Sequence, residues 1–169
     1  VTKIKKAKYY ADLVKIYGNT LDAQTIFENV ADALAAYEKT DEFTRFDSKY
    51  DAVLAKKASF TEEELRGFLF FSNITKGGCS VCHSIDPEKT SGKVLFTDFG
   101  YTNLGVPKNY NNPFLFLSAQ YNPKGVGYID NGLGDIVSVK SENGKFKVPT
   151  LRNVAITAPY FHNGIFNTL

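Results

Sequence analysis

The stretch Cys79-Ser80-Val81-Cys82-His83 lies just past the middle of a chain of 169 residues. It contains both cysteines of the sequence and one of its two histidines. Two cysteines separated by two residues and followed directly by a histidine are typical of covalent c-type haem attachment. The two thiols add to the vinyl groups of the haem, and the adjacent imidazole is placed under the iron as its proximal ligand. The stretch therefore predicts one haem c bound through Cys79, Cys82 and His83.

Three other interpretations explain only part of this stretch. A thioredoxin-like redox pair requires a βαβ context, which the sequence around residues 60–100 does not contain. A structural zinc site requires four ligands, and it would have to use every Cys and His of the chain: Cys79, Cys82, His83 and His162. A simple disulfide leaves His83 without a role. Haem attachment accounts for all three motif residues, and we adopt it.

The composition is that of an ordinary globular protein, with 43% hydrophobic residues, 22% charged residues and a net charge of +2. The length fits one domain, or one domain with a helical extension. Basic residues form no run beyond Lys3–Lys8, so we predict no nucleic-acid partner. No apolar stretch approaches the roughly 20 residues that a membrane helix needs. The first residue is Val1, which predicts a mature chain or a piece of one. Haem c is attached outside the bacterial cytoplasm, so the motif predicts a periplasmic, exported protein.

Residues 1–57 have helical periodicity. A first helix is predicted to end at Gly18, a natural C-terminal cap. Asp22 is predicted to cap a second helix, and the inward stripe of that helix would be Ile26, Phe27, Val30, Leu34 and Tyr37. A weaker third stripe consists of Phe46, Tyr50, Val53 and Leu54. These side chains predict core packing, and the segment carries no chemistry of its own.

A capping box at Thr61-Glu62-Glu63-Glu64 predicts the start of the helix that leads into the haem motif. Lys76-Gly77-Gly78 is predicted to end this helix. Gly67, inside it, predicts a close crossing by a second helix. From Ser84 to Lys147 the periodicity is lost and Gly, Asn, Pro and Asp are frequent. Long loops within a compact domain indicate a functional region or one wrapped around a ligand, and the flat faces of a haem would supply the missing core.

Further motifs flank the haem motif in a defined order. They are Arg66-Gly67 through Phe71, then Phe96-Thr97-Asp98, Asn103-Leu104-Gly105-Val106-Pro107, Phe146 through Asn153, and Thr157-Ala158-Pro159-Tyr160-Phe161-His162-Asn163-Gly164. This set resembles the C-terminal haem domain of the bacterial di-haem cytochrome c peroxidase and MauG family. The resemblance extends over about residues 22–169.

The resemblance implies a mainly α fold. A helical connecting segment, residues 1–57, would precede a class I cytochrome c-like haem domain with long loops, residues 58–169. The chain would be the electron-transfer half of an oxidoreductase, taking electrons from a small redox protein and passing them to a peroxidatic haem in a second domain or chain. It would contain no catalytic residue itself. The end of the sequence soon after the Asn163-Gly164 turn predicts that a C-terminal helix is missing.

The resemblance also suggests roles for individual residues. Backbone carbonyls of Thr157 and Pro159 match two ligands of a calcium ion that family members bind between domains, with a third protein ligand in the other half. The second axial ligand of this haem is a Met or a Tyr in the family, at a position beyond Leu169, and the chain has no methionine. Many family members have a His where Thr102 stands.

Other predicted haem contacts rest on chemistry or position. Phe71 is predicted to shield the haem from water. His162 could be a second iron ligand, but the family pattern favours a place beside the haem without ligation. Arg152 could pair with a haem propionate or form a surface or interdomain ion pair. The carbonyl of Val106 or Pro107 could accept the imidazole N–H of His83, and Pro107 is included among the haem-binding residues.

Two further functions remain open on the sequence alone. The chain could be a stand-alone mono-haem electron carrier without catalytic activity. It could instead be a haem-based sensor of a ligand or of peroxide, which would require an open iron position.

Overall fold

The computed structural model describes residues 1–19, 22–90 and 92–169, and 41% of the backbone is helical. The chain divides into two units, Val1–Ser59 and Phe60–Leu169. The strands in the described part of the chain are two segments of two residues each. The predicted mainly α fold is therefore confirmed.

Capping residues set the helices of the first unit, which in its described residues are α1 (Thr2–Lys5), α2 (Tyr10–Tyr17), α3 (Ala23–Glu38) and α4 (Lys49–Leu54). Helix α2 ends at Gly18, which has a φ of 83° and whose amide donates to the Val14 carbonyl. The Asp22 side chain accepts from the Thr25 amide at 2.7 Å and begins α3. Both predicted caps are confirmed.

The core of the first unit is smaller than the predicted stripe on α3. Leu13 on α2 and Ile26 on α3 are buried, whereas three stripe residues are at least half exposed: Phe27, Leu34 and Tyr37. The stripe prediction was wrong for these three. An eight-residue α2 extends over about 12 Å and a sixteen-residue α3 over about 24 Å, so α2 covers only part of the apolar face of α3.

The second unit begins with α5, Glu62–Ser72. The Glu64 amide donates to the Thr61 hydroxyl at 3.2 Å, and the Thr61 amide donates to the Glu64 carboxylate at 2.7 Å. The capping box is therefore confirmed. The helix ends before the predicted Lys76-Gly77-Gly78. The amides of those three residues all donate to the Asn73 carbonyl instead, because the Asn73 side chain accepts from the Thr75 amide and turns the chain.

After α5, the described part of the second unit consists of short turns, a small sheet and a short helix. Strands β1 (Tyr101–Thr102) and β2 (Phe146–Lys147) are antiparallel, with Tyr101 opposite Lys147 and Thr102 opposite Phe146. Helix α6 covers Leu133–Val137. The 3₁₀ turns are Cys79–Val81, Pro87–Thr90, Pro113–Phe116, Gly125–Gly127, Lys140–Glu142 and Val154–Ile156.

Asparagine side chains supply many of the backbone contacts in this loop region. Asn122 is 2% exposed, and its Nδ2 donates to the carbonyls of Phe114 and Gly125, both at 3.0 Å. Asn103 Nδ2 donates to the Asn143 carbonyl, 40 residues away. Side-chain hydrogen bonds satisfy backbone groups here in place of ladder hydrogen bonds, which agrees with the loss of periodicity in the sequence of this region.

No helix in the described residues is long and apolar enough to cross a membrane. Within the described part of the second unit, the buried apolar side chains are those of Val94, Leu115 and Val148. Many larger apolar side chains of this unit are exposed, among them Leu104 at 69% and Phe116 at 68%. The protein side chains alone thus form a very small core for a unit of this length.

Candidate haem site

The haem motif forms one tight turn. Cys79–Val81 is a 3₁₀ turn that follows Gly78, which has a left-handed φ of 65°. The amides of Cys82 and His83 both donate to the Cys79 carbonyl, the latter at 2.8 Å. Both cysteines are free thiols. The turn therefore presents two thiols and one imidazole from five consecutive residues.

The motif turn is attached to the end of α5. The Ser80 hydroxyl donates to the Ser72 carbonyl at 3.3 Å. A Cβ added at Gly77 would lie 2.2 Å from the Phe70 carbonyl oxygen, so this close approach to the helix requires glycine. A Cβ added at Gly67 would meet no atom within 4 Å in the described part of the chain. The close helix crossing predicted at Gly67 is therefore not formed by these residues.

One ring nitrogen of His83 forms a hydrogen bond with a backbone carbonyl. Its Nδ1 lies 2.9 Å from the Phe96 carbonyl oxygen. A carbonyl only accepts hydrogen bonds, so Nδ1 carries the hydrogen and Nε2 is left with its lone pair. The predicted acceptor at Val106 or Pro107 was wrong, because His83 Nδ1 makes this contact with Phe96. The Pro107 carbonyl accepts from Asn163 Nδ2 at 2.8 Å. Phe96 has a φ of 54°. This conformation is uncommon for a bulky residue, and the sequence does not predict it.

Two predicted haem contacts lie against Phe96. The rings of Phe71 and Phe96 meet edge to face, with centroids 6.1 Å apart. The Arg152 guanidinium lies 5.8 Å from the centroid of the Phe96 ring, and its Nε donates to the Val94 carbonyl at 2.7 Å. The structure thus brings Phe71 and Arg152 to the residue whose carbonyl binds His83.

The segment around Phe96 runs antiparallel to the segment that follows β2. The Thr150 hydroxyl donates to the Leu95 carbonyl, and the Thr97 hydroxyl donates to the Val148 carbonyl, each at 2.6 Å. The Val148 amide donates to the Gly100 carbonyl at 2.8 Å. These contacts continue the β1–β2 pairing toward the haem motif. Sequence reasoning assigned no role to Thr97 or Thr150, although both lie in the stretches that carry the family resemblance.

His162 is held in a different way. Its ring is stacked on that of Phe146, with centroids 3.4 Å apart and planes inclined by 5°. Burial against this ring lowers the pKa of His162 from its usual value, and the Asp130 carboxylate opposes the shift to a smaller extent. The neighbouring Asn163 carbonyl accepts from Asn109 Nδ2 at 2.9 Å. The structure thereby brings the Pro107–Asn109 loop and the His162–Asn163 turn together.

The proposed calcium ligands belong to an exposed turn. Thr157 and Pro159 are both exposed, and the Ala158–Pro159 peptide bond is cis. After this turn the Tyr160 amide donates to the Phe166 carbonyl at 2.7 Å. In residues 1–19, 22–90 and 92–169, no group of three or more His, Cys, Asp or Glu side chains is placed to hold a metal ion. The four candidate zinc ligands therefore do not converge.

The donor set fits a haem c. The thiols are free, they lie one short turn apart, and the next residue has the Nε2 lone pair that an axial ligand requires. The scarcity of buried apolar side chains in the second unit is also what a domain built around an apolar macrocycle requires. The residues present thus match the chemistry of covalent haem attachment.

Comparison with known proteins supplies the deciding observation. The chain is 39% identical over 150 residues to the methylamine utilization protein MauG of Paracoccus denitrificans, and the match covers 88% of the chain. It is 31% identical to the cytochrome c peroxidase Ccp of Escherichia coli over 84% of its length. The chain belongs to the di-haem cytochrome c peroxidase and MauG family. It spans only 36% and 26% of these two relatives, consistent with a C-terminal haem domain. No protein-family model matches the chain.

Solved structures of the same family have a similar backbone. A variant of the diheme peroxidase BthA from Burkholderia thailandensis matches 99% of the chain with a TM-score of 0.82 and 34% identity, over 40% of that protein. A MauG-like protein associated with microbial copper homeostasis matches with a TM-score of 0.59 and 26% identity, over 45% of its length. The sequence resemblance to this family is thereby confirmed.

Proposed function

We propose that this chain is the electron-transfer haem domain of a di-haem peroxidase or MauG-like oxidoreductase, with a class I cytochrome c-like fold around its haem. The observation that carries the proposal is the 2.9 Å contact between His83 Nδ1 and the Phe96 carbonyl, directly after two free cysteines. It fixes one nitrogen of the imidazole and leaves the other available to the iron.

Each motif residue has a defined task. Cys79 and Cys82 would form the two thioether bonds, and His83 Nε2 would bind the iron. Haem c supplies a one-electron ferric–ferrous couple when bound. The Phe96 carbonyl keeps the hydrogen on Nδ1 and raises the basicity of the imidazole as a ligand. Phe71, with the loops of residues 100–135, would keep water from most of the ring.

The remaining predicted site residues are proposed to surround the haem. Pro107 and His162 are linked through Asn163, whose Nδ2 binds the Pro107 carbonyl. We place both beside the haem, with His162 stacked on Phe146 and outside the iron's ligand set. Thr157 and Pro159 would offer backbone carbonyls to a calcium ion. The third calcium ligand would come from a second domain.

Peroxide chemistry is assigned to another haem. One solved structure that resembles this chain is that of a diheme peroxidase, and this chain has one Cys-x-x-Cys-His motif. A second haem domain would therefore be the electron acceptor, and a small redox protein would be the donor. Because haem c is attached outside the cytoplasm in bacteria, we place this protein in the periplasm.

Intact mass spectrometry of the protein purified from its own cells tests this function. We expect a mass well above the 18.8 kDa of this chain plus one haem, and two haem-bearing peptides after proteolysis. One of these peptides must contain Cys79 and Cys82. A single haem on a protein of this size would overturn the proposal and would support a stand-alone electron carrier.

A further inference from the structure

We propose that Thr97, Thr150 and Arg152 form a clamp that positions the Phe96 carbonyl against His83 and thereby tunes the reduction potential of the haem. The inference rests on the proposed attachment of haem at His83. In this inference Arg152 is a positioning residue, which acts on the Phe96 carbonyl through its contacts with Val94 and Phe96.

The two threonines attach the polypeptide on both sides of Phe96. The Thr150 hydroxyl donates to the carbonyl of Leu95, immediately before Phe96. Thr97, immediately after Phe96, is 2% exposed and donates to the Val148 carbonyl. Its oxygen also accepts from the Phe99 amide at 3.0 Å. Both neighbours of Phe96 are therefore bound to the same distant segment.

Arg152 secures the same segment from a third direction. Its Nε donates to the Val94 carbonyl at 2.7 Å, and its guanidinium lies over the Phe96 ring. A hydrogen bond and a cation–π contact from one side chain restrain both the backbone and the ring orientation.

The Phe96 carbonyl has a different hydrogen-bond partner from the carbonyls of the two residues before it. The Val94 and Leu95 carbonyls accept from Arg152 and Thr150 on the distant segment. Phe96 has a φ of 54°, and its carbonyl accepts from His83. Left-handed backbone in a bulky residue persists only where surrounding contacts hold it. The clamp provides those contacts.

The consequence for the iron follows from the basicity of its ligand. A strong hydrogen bond at Nδ1 increases electron donation from the imidazole, and this donation favours ferric over ferrous iron. Loosening the clamp would lengthen the bond, weaken the donation and raise the reduction potential. The potential therefore reports the position of the Phe96 carbonyl.

The test is potentiometry of the haem-loaded chain carrying Thr150→Val. This change removes one hydroxyl, leaves every charge in place and affects an exposed side chain. We expect the ferric–ferrous equilibrium to shift up to tenfold toward ferrous, which is a rise of up to about 59 mV for a one-electron couple. The matched control is Thr44→Val in the first unit, where the hydroxyl donates to the Thr40 carbonyl, and its potential should equal that of the wild type.

Arg152→Gln separates positioning from charge. Loss of the positive charge would by itself lower the potential, because a cation favours the less positive ferrous iron, whereas release of the clamp would raise it. We expect a rise that is less than additive with that of Thr150→Val, because both changes release one element. A wild-type potential in Thr150→Val, or a lowered one in Arg152→Gln, would overturn the clamp. If the wild-type chain binds no haem through Cys79 and Cys82, the proposed function itself has failed.

Discussion

The two histidines of this chain lie in neighbourhoods that constrain an imidazole in different ways. His83 follows both cysteines directly, and its Nδ1 is bound to the Phe96 carbonyl. His162 lies flat against the Phe146 ring, 3.4 Å away between centroids. A hydrogen bond determines which ring nitrogen carries the hydrogen, whereas a stack fixes the plane of the ring and leaves the hydrogen free to be on either nitrogen. In the proposed function the first arrangement would prepare an iron ligand, whereas the second holds an aromatic ring in a stack.

The two neighbourhoods also differ in how they are assembled. The turn that carries His83 is held by contacts between residues close in sequence, such as Ser80 with Ser72. Beside the stack at His162, Asn163 Nδ2 donates to the Pro107 carbonyl across 56 positions. We therefore expect substitutions in the motif turn to have local and large effects on stability and haem attachment, and substitutions at the stack to have smaller effects.

The largest expected effect comes from Gly77→Ala. The new Cβ would lie 2.2 Å from the Phe70 carbonyl oxygen, so the motif turn must move away from α5. We expect a loss of about 2–3 kcal/mol in the free energy of unfolding, measured by chemical denaturation, together with a lower yield of attached haem.

Gly67→Ala is the matched control for that variant. It makes the same chemical change within α5, where a Cβ meets no atom within 4 Å among the described residues. Alanine is favoured over glycine in a helix interior by about 0.5–1 kcal/mol, so this variant should be slightly more stable than the wild type. Equal destabilisation by both substitutions would refute the close packing of the motif turn on α5.

A smaller effect is expected from the titration of His162. Its pKa is lowered in the folded chain by burial against Phe146, so the unfolded chain binds this proton at a higher pH. Stability from the neutral imidazole is fully present above the unfolded value of about 6.5 and decreases as the pH falls below it. The haem-loaded wild type should therefore lose more stability between pH 7.5 and pH 5 than His162→Phe, which keeps an aromatic stack. Identical pH profiles in thermal unfolding would contradict the lowered pKa.

Local signals in the sequence predicted much of the backbone. The caps at Gly18 and Asp22 and the capping box at Thr61 are formed as expected, because each depends on residues within four positions. The end of α5 was misplaced, since the Asn73 side chain competes for the backbone earlier than the glycines do. The buried part of the α3 stripe was predicted to be too long, because the sequence pattern of α3 does not show how short its partner helix α2 is.

The support of the haem site could not be predicted to the same extent. The motif alone predicted haem attachment through Cys79, Cys82 and His83. The acceptor for His83 is Phe96, which has a left-handed φ and whose neighbours Leu95 and Thr97 are hydrogen-bonded to residues more than 50 positions away. Such a conformation has no local sequence signal in a phenylalanine. Thr97 and Thr150 each join two segments that are distant in sequence, so the sequence alone assigns neither of them a role.

The most direct test of this account compares His83→Gly with His162→Phe in the haem-loaded chain by absorption spectroscopy. We predict that His83→Gly loses the spectrum of the wild type, that added imidazole restores it, and that His162→Phe leaves it unchanged. A wild-type spectrum in His83→Gly, or its loss in His162→Phe alone, would contradict the assignment of His83 as the proximal iron ligand.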